Sequence, residues 1–409
     1  MSATPLPPTD TQPHSLLADF SASAFTMGVL ASIVGFSSSF AIVLAALAAL
    51  GATPAQAATG LLAASLAMGL CGVWFALRHR APISVAWSTP GAALLIGAPV
   101  LAGGYNEAIG AFIICALLIN VTGLVKPIGE AIKRIPRPLA NAMLAGILLP
   151  LCLAPFRAAA EMLFAALPII AAWAIALRVK RLFAVPVALI VFAAVLASGI
   201  TGAPELAQGA RIELFPSLQP IAPIFSLSSI ISVALPVYVV TMASQNIPGI
   251  AVLAVNGYDV RAGALVRDTG VISLLSAPFG AIPSNLSAIV ASMCCGEDVH
   301  PDRSRRYWAA LIAGLGYILM GLLAGPIAGL LLIAPASLIA TVAGLALVPT
   351  LLASAGEAFA PAQDREAAGV TFLTAASGIT LLGISGAFWG LVAGGLVYWL
   401  LNAYRKGAT

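Results

Sequence analysis

Charged residues are scarce in this sequence: only 8% of its 409 residues are Asp, Glu, Lys or Arg. A soluble domain carries roughly 25% charged and about 45–50% apolar residues. Here 61% of the residues are hydrophobic and the mean hydropathy is +1.04. This balance excludes a soluble globular protein and predicts an all-α integral membrane protein.

Motifs of enzymes and metal sites are also missing. The sequence has no HExxH, no GxSxG, no P-loop and no aspartate-rich metal motif. Its 3 histidines fall in the N-terminal tail or in predicted loops, and its 5 cysteines fit no zinc spacing. We therefore expect no enzyme activity, no cofactor and no metal, and we ascribe the net charge of +4 to membrane topology rather than to nucleic-acid binding.

Long apolar runs fill most of the chain. Requiring roughly 17–25 apolar residues for each span gives about fourteen transmembrane segments, in two halves of seven. The predicted organisation is a polar, Pro-rich cytoplasmic tail (1–20), a first set of spans 1–7 (21–200), a periplasmic linker (201–226) and a second set of spans 8–14 (227–409).

The placement of the basic residues tests this count. If the first span leaves the cytoplasm, every Lys and Arg except Arg157 and Arg211 falls at the inner side. Cytoplasmic loops of membrane proteins carry an excess of Lys and Arg. The pattern predicts an even number of spans with both termini in the cytoplasm.

Two segments of the first half have similar counterparts, in the same order, in the second half. "IPRPLANAMLAGILL" (135–149) matches "IAPASLIATVAGLAL" (333–347), and "GFSSSFAIV" (35–43) matches "MASQNIPGI" (242–250). Because each half has an odd number of spans, the second copy must cross the bilayer upside down. Inverted repeats with interrupted helices are typical of secondary transporters, whose substrate site lies near the midplane.

The third span of each half is predicted to be interrupted. In the first half, Ile83–Trp87 favours an extended segment, followed by a helix start at Ser88, Thr89, Pro90 and Gly91. In the second half, Phe279–Ile282 is predicted to be extended, and the helix is predicted to open at Pro283, Ser284 and Asn285. Extended backbone at membrane depth survives only inside protein or beside a cavity. Spans 3 and 10 are therefore each predicted to be a short strand plus a half-helix, whose N-terminus lies at the midplane.

Such a pair of helix N-termini suits an anion. Each is worth roughly 0.3–1 kcal/mol, up to about 2 when partly buried, whereas desolvating a carboxylate costs several kcal/mol. Further donors are needed, and the adjacent amides of Gln245 and Asn246 are the candidates. Ser37, Ser38, Ser39 and Ser244 form a supporting polar cluster, although the first three could instead join helices through bonds of roughly 0.6 kcal/mol each.

Aromatic and acidic residues near these segments have two interpretations each. Trp87 and Phe279 either line the site as ring-stacking walls or belong to ordinary packing. Glu107, at the start of the fourth span, and Asp268 are candidates for a proton relay. Asp268 could equally form a salt bridge with Arg267 near the cytoplasmic surface.

Several motifs carry a resemblance to a known family. "AWSTPGAALL", "TMASQNIPGI", "APFG" followed by "NLSAI", "HPDRSRRYW" and "SGAFWGL" resemble the bacterial benzoate transporter (BenE) family, from about residue 20 to the C-terminus. The resemblance implies the fold of the uracil and nucleobase–ascorbate transporters, with a core domain of spans 1–4 and 8–11 and a gate domain of spans 5–7 and 12–14. It also implies proton-coupled uptake of benzoate across the inner membrane, and the fold relatives suggest a homodimer through the gate.

Two departures refine this expectation. Nucleobase relatives carry a glutamate after the glutamine of the eighth span, and here Asn246 occupies that place. An amide donates to an anion that a carboxylate would repel, which disfavours a nucleobase. The benzoate family often resembles "FGGHA" where this chain has Phe279 and Gly280 followed by "AIP", so a histidine that could handle protons is missing.

The expected substrate is therefore benzoate or a related aromatic carboxylate. The predicted binding residues are Trp87, Ser88, Thr89, Pro90, Gly91, Gln245, Asn246, Phe279, Gly280, Ser284 and Asn285. The alternatives are a carrier of the same fold for another organic anion or a nucleobase and, from other classes, a membrane enzyme or a passive channel.

Overall fold

The computed structural model describes residues 19–125, 136–199, 216–326, 334–381 and 384–407. Most of the predicted tail and of the predicted linker lies outside these ranges. The elements of the first half are α1 (Ala22–Ser37), α2 (Phe40–Ala49), α3 (Pro54–His79), β1 (Val85–Trp87), α4 (Thr89–Ile96), α5 (Gly104–Leu124), α6 (Arg137–Glu161), α7 (Leu163–Val179) and α8 (Ala184–Ala197).

The second half follows a similar order. It consists of α9 (Leu227–Val255), α10 (Ala262–Ser276), β2 (Ser284–Leu286), α11 (Ala288–Cys295), α12 (Tyr307–Leu322), α13 (Ala336–Phe359), α14 (Arg365–Ala376), the strand pair β3 (Thr380–Leu381) and β4 (Ile384–Ser385), and α15 (Gly386–Gly407).

The helices have the length and composition of a multi-pass membrane protein. Six helical stretches of the described chain are long and apolar enough to cross a bilayer: α1 together with α2, then α3, α5, α6, α9 and α13. α7, α8 and α15 are shorter apolar helices. Local sequence sets some of their ends: Thr53 and Gln56 form a capping box at the start of α3, with Pro54 in the first turn.

A strand followed by an eight-residue helix occurs at both predicted places. β1 and β2 pair antiparallel, in the register Val85 with Leu286, Ala86 with Asn285, and Trp87 with Ser284. One more backbone bond extends the ladder at each end, from the Ser88 N–H to the Pro283 carbonyl and from the Ser287 N–H to the Ser84 carbonyl, both at 2.9 Å. Residues 84–88 and 283–287 therefore donate equivalent backbone hydrogen bonds to each other at the two ends of the ladder.

The predicted start of the second short helix is wrong by several residues. Ser284 and Asn285 belong to β2 instead of opening the helix, and α11 begins only at Ala288. The segment predicted to be extended is in part a 3-10 turn, Ala277–Phe279. Pairing with β1 keeps Ser284–Leu286 extended, and the cap of the helix is Ser287, three residues after the serine in the predicted start.

The matched serine and amide segments both interrupt helices. The first long span breaks at Ser38 and Ser39, which form a turn between α1 and α2. In α9, Met242–Asn246 forms a π-helical segment, and Ile230–Ala234 forms another. π-helical turns are rare in proteins overall, but those that occur are often found at functional sites. The interruptions at Ser38–Ser39 and at Met242–Asn246 lie where the sequence carries consecutive polar residues.

The helices form two packed groups. Buried apolar residues of α2, α3, α4, α5 and α9, together with some of α6 and α13, belong to one large cluster, and α3 packs against α12 as α5 packs against α10. A separate cluster joins α6, α7, α8 and α13. α6 packs along α13 and also contacts α4, so the second group covers one side of the first.

Candidate functional site

Both short helices begin with a serine cap beside the strand pair. The Ser88 Oγ accepts the Gly91 N–H at 3.1 Å and hydrogen-bonds the Thr241 Oγ1 of α9 at 2.6 Å. The Ser287 Oγ accepts the Val290 N–H at 3.3 Å. Because β1 and β2 run antiparallel, α4 and α11 point their N-termini toward the same strand pair from opposite sides.

The first turns of these helices carry free backbone donors. The first N–H groups of an α-helix have no acceptor within the helix. The serine caps satisfy Gly91 and Val290, which leaves the N–H groups of Thr89, Ala288 and Ile289. Thr89 and Ala288 are half-buried and Ile289 is exposed, whereas Ser88 and Ser287 are buried. Both helix N-termini therefore have N–H groups without an intrahelical acceptor, as expected for an anion site.

Asn246 ties the π-helical segment of α9 to this arrangement. It is fully buried, its Oδ1 accepts the Leu286 N–H at 2.9 Å, and its Nδ2 donates to the Met242 sulfur at 3.2 Å. A thioether is a weak acceptor, so the Nδ2 keeps donor capacity. Gln245 is half-buried in the same segment. Gly249, one turn later, permits the close approach, because an added Cβ would lie 2.8 Å from the Leu286 Cβ.

Unpartnered buried oxygens surround the strand pair. Among the buried polar atoms that lack a hydrogen-bond partner in the described part of the chain are the hydroxyls of Ser37, Ser244 and Ser284 and the Asn285 Oδ1. Buried polar groups are satisfied in the large majority of cases. These atoms therefore have capacity for further hydrogen bonds. All four residues belong to the predicted site or to its supporting cluster.

Trp87 packs inside the protein rather than on an open wall. It is 2% exposed, its indole N–H donates to the Ser39 Oγ at 2.8 Å, and its ring meets the Phe36 ring edge-on at 5.3 Å between centroids. Phe40 stacks on Phe36 at 5.5 Å and is only partly buried. The aromatic side chain with an accessible face is thus Phe40, directly after the break in the first span.

The structure places Phe279 and Gly280 before β2 and not beside the capping serine of α11, and their role in binding stays a prediction. Both lie in the turn between α10 and β2, and the 3-10 turn that ends at Phe279 packs against α3 and α5. Gly280 adopts a positive φ of 84°. The counterpart of Trp87 in the paired strands is Leu286, since each directly precedes a capping serine. Phe279 was predicted at the place equivalent to Trp87 because the start of the second short helix was predicted too early in the sequence.

The two carboxylates proposed as relays have structural partners. Glu107 is buried, and its carboxylate accepts the Gly103 N–H at 2.7 Å and the Ser226 hydroxyl, which joins the start of α5 to the start of α9. Asp268 forms an ion pair with Arg267 at 2.6 Å. The salt-bridge alternative for Asp268 is therefore observed.

An apolar cavity lies between the two groups of helices. Its volume is about 340 Å³, and it is lined by α2, α3, the end of α4, α6 and α13. Only Ala, Leu, Ile, Pro and Gly line it, among them Leu44, Ala48, Ile96, Leu151 and Ala340. The cavity borders the C-terminal end of α4, which is an eight-residue helix. At about 1.5 Å per residue, this helix is about 12 Å long. The cavity is therefore about 12 Å from the N–H donors at the N-terminus of α4.

A polar junction closes the end of the protein at which α9 and α11 stop. Asp19 is buried and accepts bonds from Arg80 and Tyr307 at 3.1 and 3.0 Å. Asp302 accepts the hydroxyl and the N–H of Ser304, and these bonds hold the pKa of the Asp302 carboxyl below its usual value. The junction ties the segment before α1 to the end of α3 and to the start of α12.

Sequence reasoning missed three residues of this site. Ser287 was hidden by the earlier Pro283–Asn285 pattern, although a serine before an apolar run is itself a capping signal. Thr241 and Phe40 have no local signal. Their roles follow from the contacts with Ser88 and Phe36 across the fold.

Solved structures define the class of this fold. The chain resembles the transmembrane domain of the cyanobacterial bicarbonate transporter BicA, with a TM-score of 0.61 and 16% identity over 91% of this chain and 97% of that one. It also resembles SLC26A9, with a TM-score of 0.62 and 13% identity over 96% of this chain and 67% of that one. The fold is thus one used by membrane transporters.

Relatives in sequence define the family. The chain is 40% identical to the inner membrane protein YdcO of Escherichia coli (92% of this chain, 95% of the relative). It is 31% identical to the benzoate membrane transport protein of Acinetobacter baylyi (95% and 97%). The family model described as benzoate membrane transport protein (BenE) matches residues 18–400. The chain belongs to the BenE family, and it is a membrane transporter rather than an enzyme.

Proposed function

We propose that this protein is a secondary active transporter that takes up benzoate, or a related aromatic carboxylate, together with protons across the bacterial inner membrane. The observation that carries the proposal is the pair of capped helix N-termini meeting at an antiparallel strand pair. The relative named as a benzoate membrane transport protein and the relative named as an inner membrane protein support the substrate and the location.

The proposed architecture is fourteen spans in two inverted repeats of seven. The mutual backbone bonds of the β1–β2 ladder support it, because an antiparallel pair has a local twofold axis. The interruptions at Ser38–Ser39 and Met242–Asn246 occupy matching places in the first span of each half. The packing of α3 on α12 matches that of α10 on α5 when the halves are exchanged.

The carboxylate of the substrate would lie between the N-termini of α4 and α11. Two helix ends contribute roughly 0.3–1 kcal/mol each, or about 2 when partly buried. Gln245, the Asn246 Nδ2 and the unpartnered hydroxyls of Ser37 and Ser244 would add donors that carry no charge. Together these groups offset a desolvation cost of several kcal/mol.

The aromatic ring of the substrate would lie against apolar surface. The partly exposed ring of Phe40 stands at the break of the first span and would pack on the ring of the substrate. The cavity of about 340 Å³ has only aliphatic lining and would lie on the substrate path, one length of α4 away from the helix N-termini. A small inorganic anion gains nothing from such walls, whereas burying a ring contributes through the hydrophobic effect. These features favour an aromatic acid over bicarbonate.

Transport would follow from movement of a core domain (spans 1–4 and 8–11) against a gate domain (spans 5–7 and 12–14). The cavity supports this division because it separates α2, α3 and α4 from α6 and α13. A homodimer through the gate is proposed with it. Light scattering of the detergent-solubilised protein tests that assembly.

The proton would enter on the carboxyl group of the substrate. Glu107 and Asp268, the two carboxylates proposed from sequence, already have partners: Ser226 joins Glu107 of α5 to the start of α9, and Arg267 is the neighbour of Asp268 in α10. A protonated aromatic acid also needs an acceptor, and the unpartnered Asn285 Oδ1 is a suitable one.

A ligand panel tests the binding claim. A ligand that binds only the folded state raises stability with its concentration, so benzoate is expected to raise the unfolding temperature more than uracil, bicarbonate or acetate. A larger shift with bicarbonate would favour an inorganic anion carrier, and a larger shift with uracil would favour a nucleobase carrier. Either result would contradict the proposal.

A further inference from the structure

Arg306 is unusual among the basic residues of this protein. Among the lysines and arginines whose side chains the structure describes, it alone is buried, with 5% of its surface exposed. Buried charges are normally paired, because removing a charge from water is costly. No ion pair joins Arg306 to a carboxylate within the described ranges of the chain. Its positive charge must therefore be compensated in another way.

The guanidinium of Arg306 binds one backbone carbonyl at the end of α11 and two in the loop that follows. Its Nη1 donates to the Cys295 carbonyl at 2.6 Å, its Nε to the His300 carbonyl at 2.7 Å, and its Nη2 to the Pro301 carbonyl at 3.3 Å. Cys295 is the last residue of α11. The C-terminus of a helix carries about half a negative charge, so the helix end compensates the arginine only in part.

The remaining positive charge acts along α11. Eight residues at about 1.5 Å each make this helix about 12 Å long. Neutralising its negative end strengthens the positive potential at its N-terminus, where the Ala288 and Ile289 N–H groups are free of intrahelical acceptors. The unpartnered buried oxygens of Ser284 and Asn285 independently mark that region as a place for a ligand.

Within the described residues, no hydrogen bond joins a lysine or arginine side chain to the end of the other short helix. α4 carries no basic residue in its last turn and ends at Gly97, whose N–H bonds only to backbone carbonyls. The two helix N-termini are therefore electrostatically unequal, although their serine caps match. α11 is the one backed by a buried cation.

We propose that Arg306 is a positioning residue that makes the N-terminus of α11 selective for an anionic over a neutral aromatic ligand. It fixes the far end of the helix and supplies the potential that the substrate carboxylate senses. This inference rests on the proposed function, since it assumes that benzoate binds between α4 and α11.

The test compares the affinities of the purified full-length protein for benzoate and for the neutral analogue benzamide. Arg306→Met removes the charge and keeps much of the volume. At an effective dielectric of about 20, one charge some 14 Å away is worth about a fivefold to tenfold change in affinity. Benzoate affinity should fall by about that factor, while benzamide affinity stays the same.

Arg303→Met is the matched control. Arg303 lies three residues earlier, is exposed, and binds the Gly257 carbonyl at the end of α9, with its guanidinium 5.1 Å from the Tyr258 ring centroid. The variant loses the same charge from the same segment without touching α11. Its benzoate affinity should match that of the wild type, and this comparison decides the matter even where benzamide binding is too weak to measure.

Arg306→Lys keeps the charge but cannot reach three carbonyls at once. It should lower the unfolding temperature and leave benzoate affinity close to wild type, which provides a test if Arg306→Met does not fold. Loss of benzoate affinity in Arg306→Lys, or equal losses for both ligands in Arg306→Met, would overturn the charge role. Absence of benzoate binding in the wild type would instead refute the proposed function.

Discussion

The amide oxygen of Asn246 accepts the backbone N–H of Leu286 at 2.9 Å. This bond links the π-helical segment of α9 to the last residue of β2, immediately before the serine that caps α11. Asn246 therefore holds the start of the short helix with its oxygen and keeps its Nδ2, bonded only to a sulfur, for a ligand. One side chain serves both the fold and the site.

Replacing Asn246 by aspartate separates these two tasks. The carboxylate of Asn246→Asp still accepts the Leu286 N–H, so the protein should fold. Its negative charge, however, faces the substrate anion and should weaken benzoate binding by about tenfold or more, since like charges within about 6 Å repel strongly in a poorly solvated site. Equilibrium binding measures the effect. Asn256→Asp, at the far end of α9, is the control, and unchanged affinity in Asn246→Asp would mean that the substrate binds elsewhere.

The serine cap of α4 should matter for stability and for binding. Ser88→Ala removes the acceptor of the Gly91 N–H and the bond to Thr241, and loss of an N-cap costs about 1 kcal/mol. We expect a lower unfolding temperature and weaker benzoate binding, because the first turn is no longer held. Ser292→Ala, which removes an exposed hydroxyl in the middle of α11, should change neither. If Ser88→Ala has the unfolding temperature and benzoate affinity of the wild type, the cap contributes neither to stability nor to binding.

Filling the apolar cavity should block transport without unfolding the protein. Ala340 lines the cavity from α13, and the indole of Ala340→Trp would occupy the space between the two helix groups. Benzoate uptake should fall to background while the variant elutes as a single species. Ala172→Trp is the matched control, because Ala172 lines a second apolar cavity, between α7 and α8. Normal uptake by Ala340→Trp would exclude this cavity from the substrate path.

Neither Glu107 nor Asp268 should be needed for proton coupling. Glu107→Gln keeps an oxygen to accept the Gly103 N–H, and Asp268→Asn keeps an oxygen beside Arg267. Both variants should retain faster uptake under an inside-alkaline gradient. A variant that still transports but no longer responds to the gradient would identify its carboxylate as the proton carrier.

The orientation predicted from the basic residues is open to chemical labelling. The five native cysteines are buried, so a single exposed cysteine gives a clear signal. Gln219→Cys should react with an impermeant maleimide in intact cells, and Ser304→Cys only after the membrane is opened. The reverse pattern would contradict the prediction that both termini are cytoplasmic.

The sequence predicted what depends on local chemistry. Hydropathy located the long helices, and the Ser–Thr–Pro–Gly order located the start of α4, because a capping serine followed by proline in the first turn is a local signal. Pro283, Ser284 and Asn285 carry a similar signal, but the non-local bonds to β1 keep the last two extended. No local sequence pattern predicts that strand pairing. The contacts of Trp87 with Ser39 and of Asn246 with Leu286 also join residues about 40 or more positions apart, which is why their roles emerged only from the fold.

The central claim is coupled transport of an aromatic carboxylate, and uptake of labelled benzoate into proteoliposomes under an imposed pH gradient tests it most directly. The account predicts saturable uptake that an inside-alkaline gradient accelerates and that excess unlabelled benzoate suppresses. No uptake above protein-free liposomes, with or without the gradient, would contradict it.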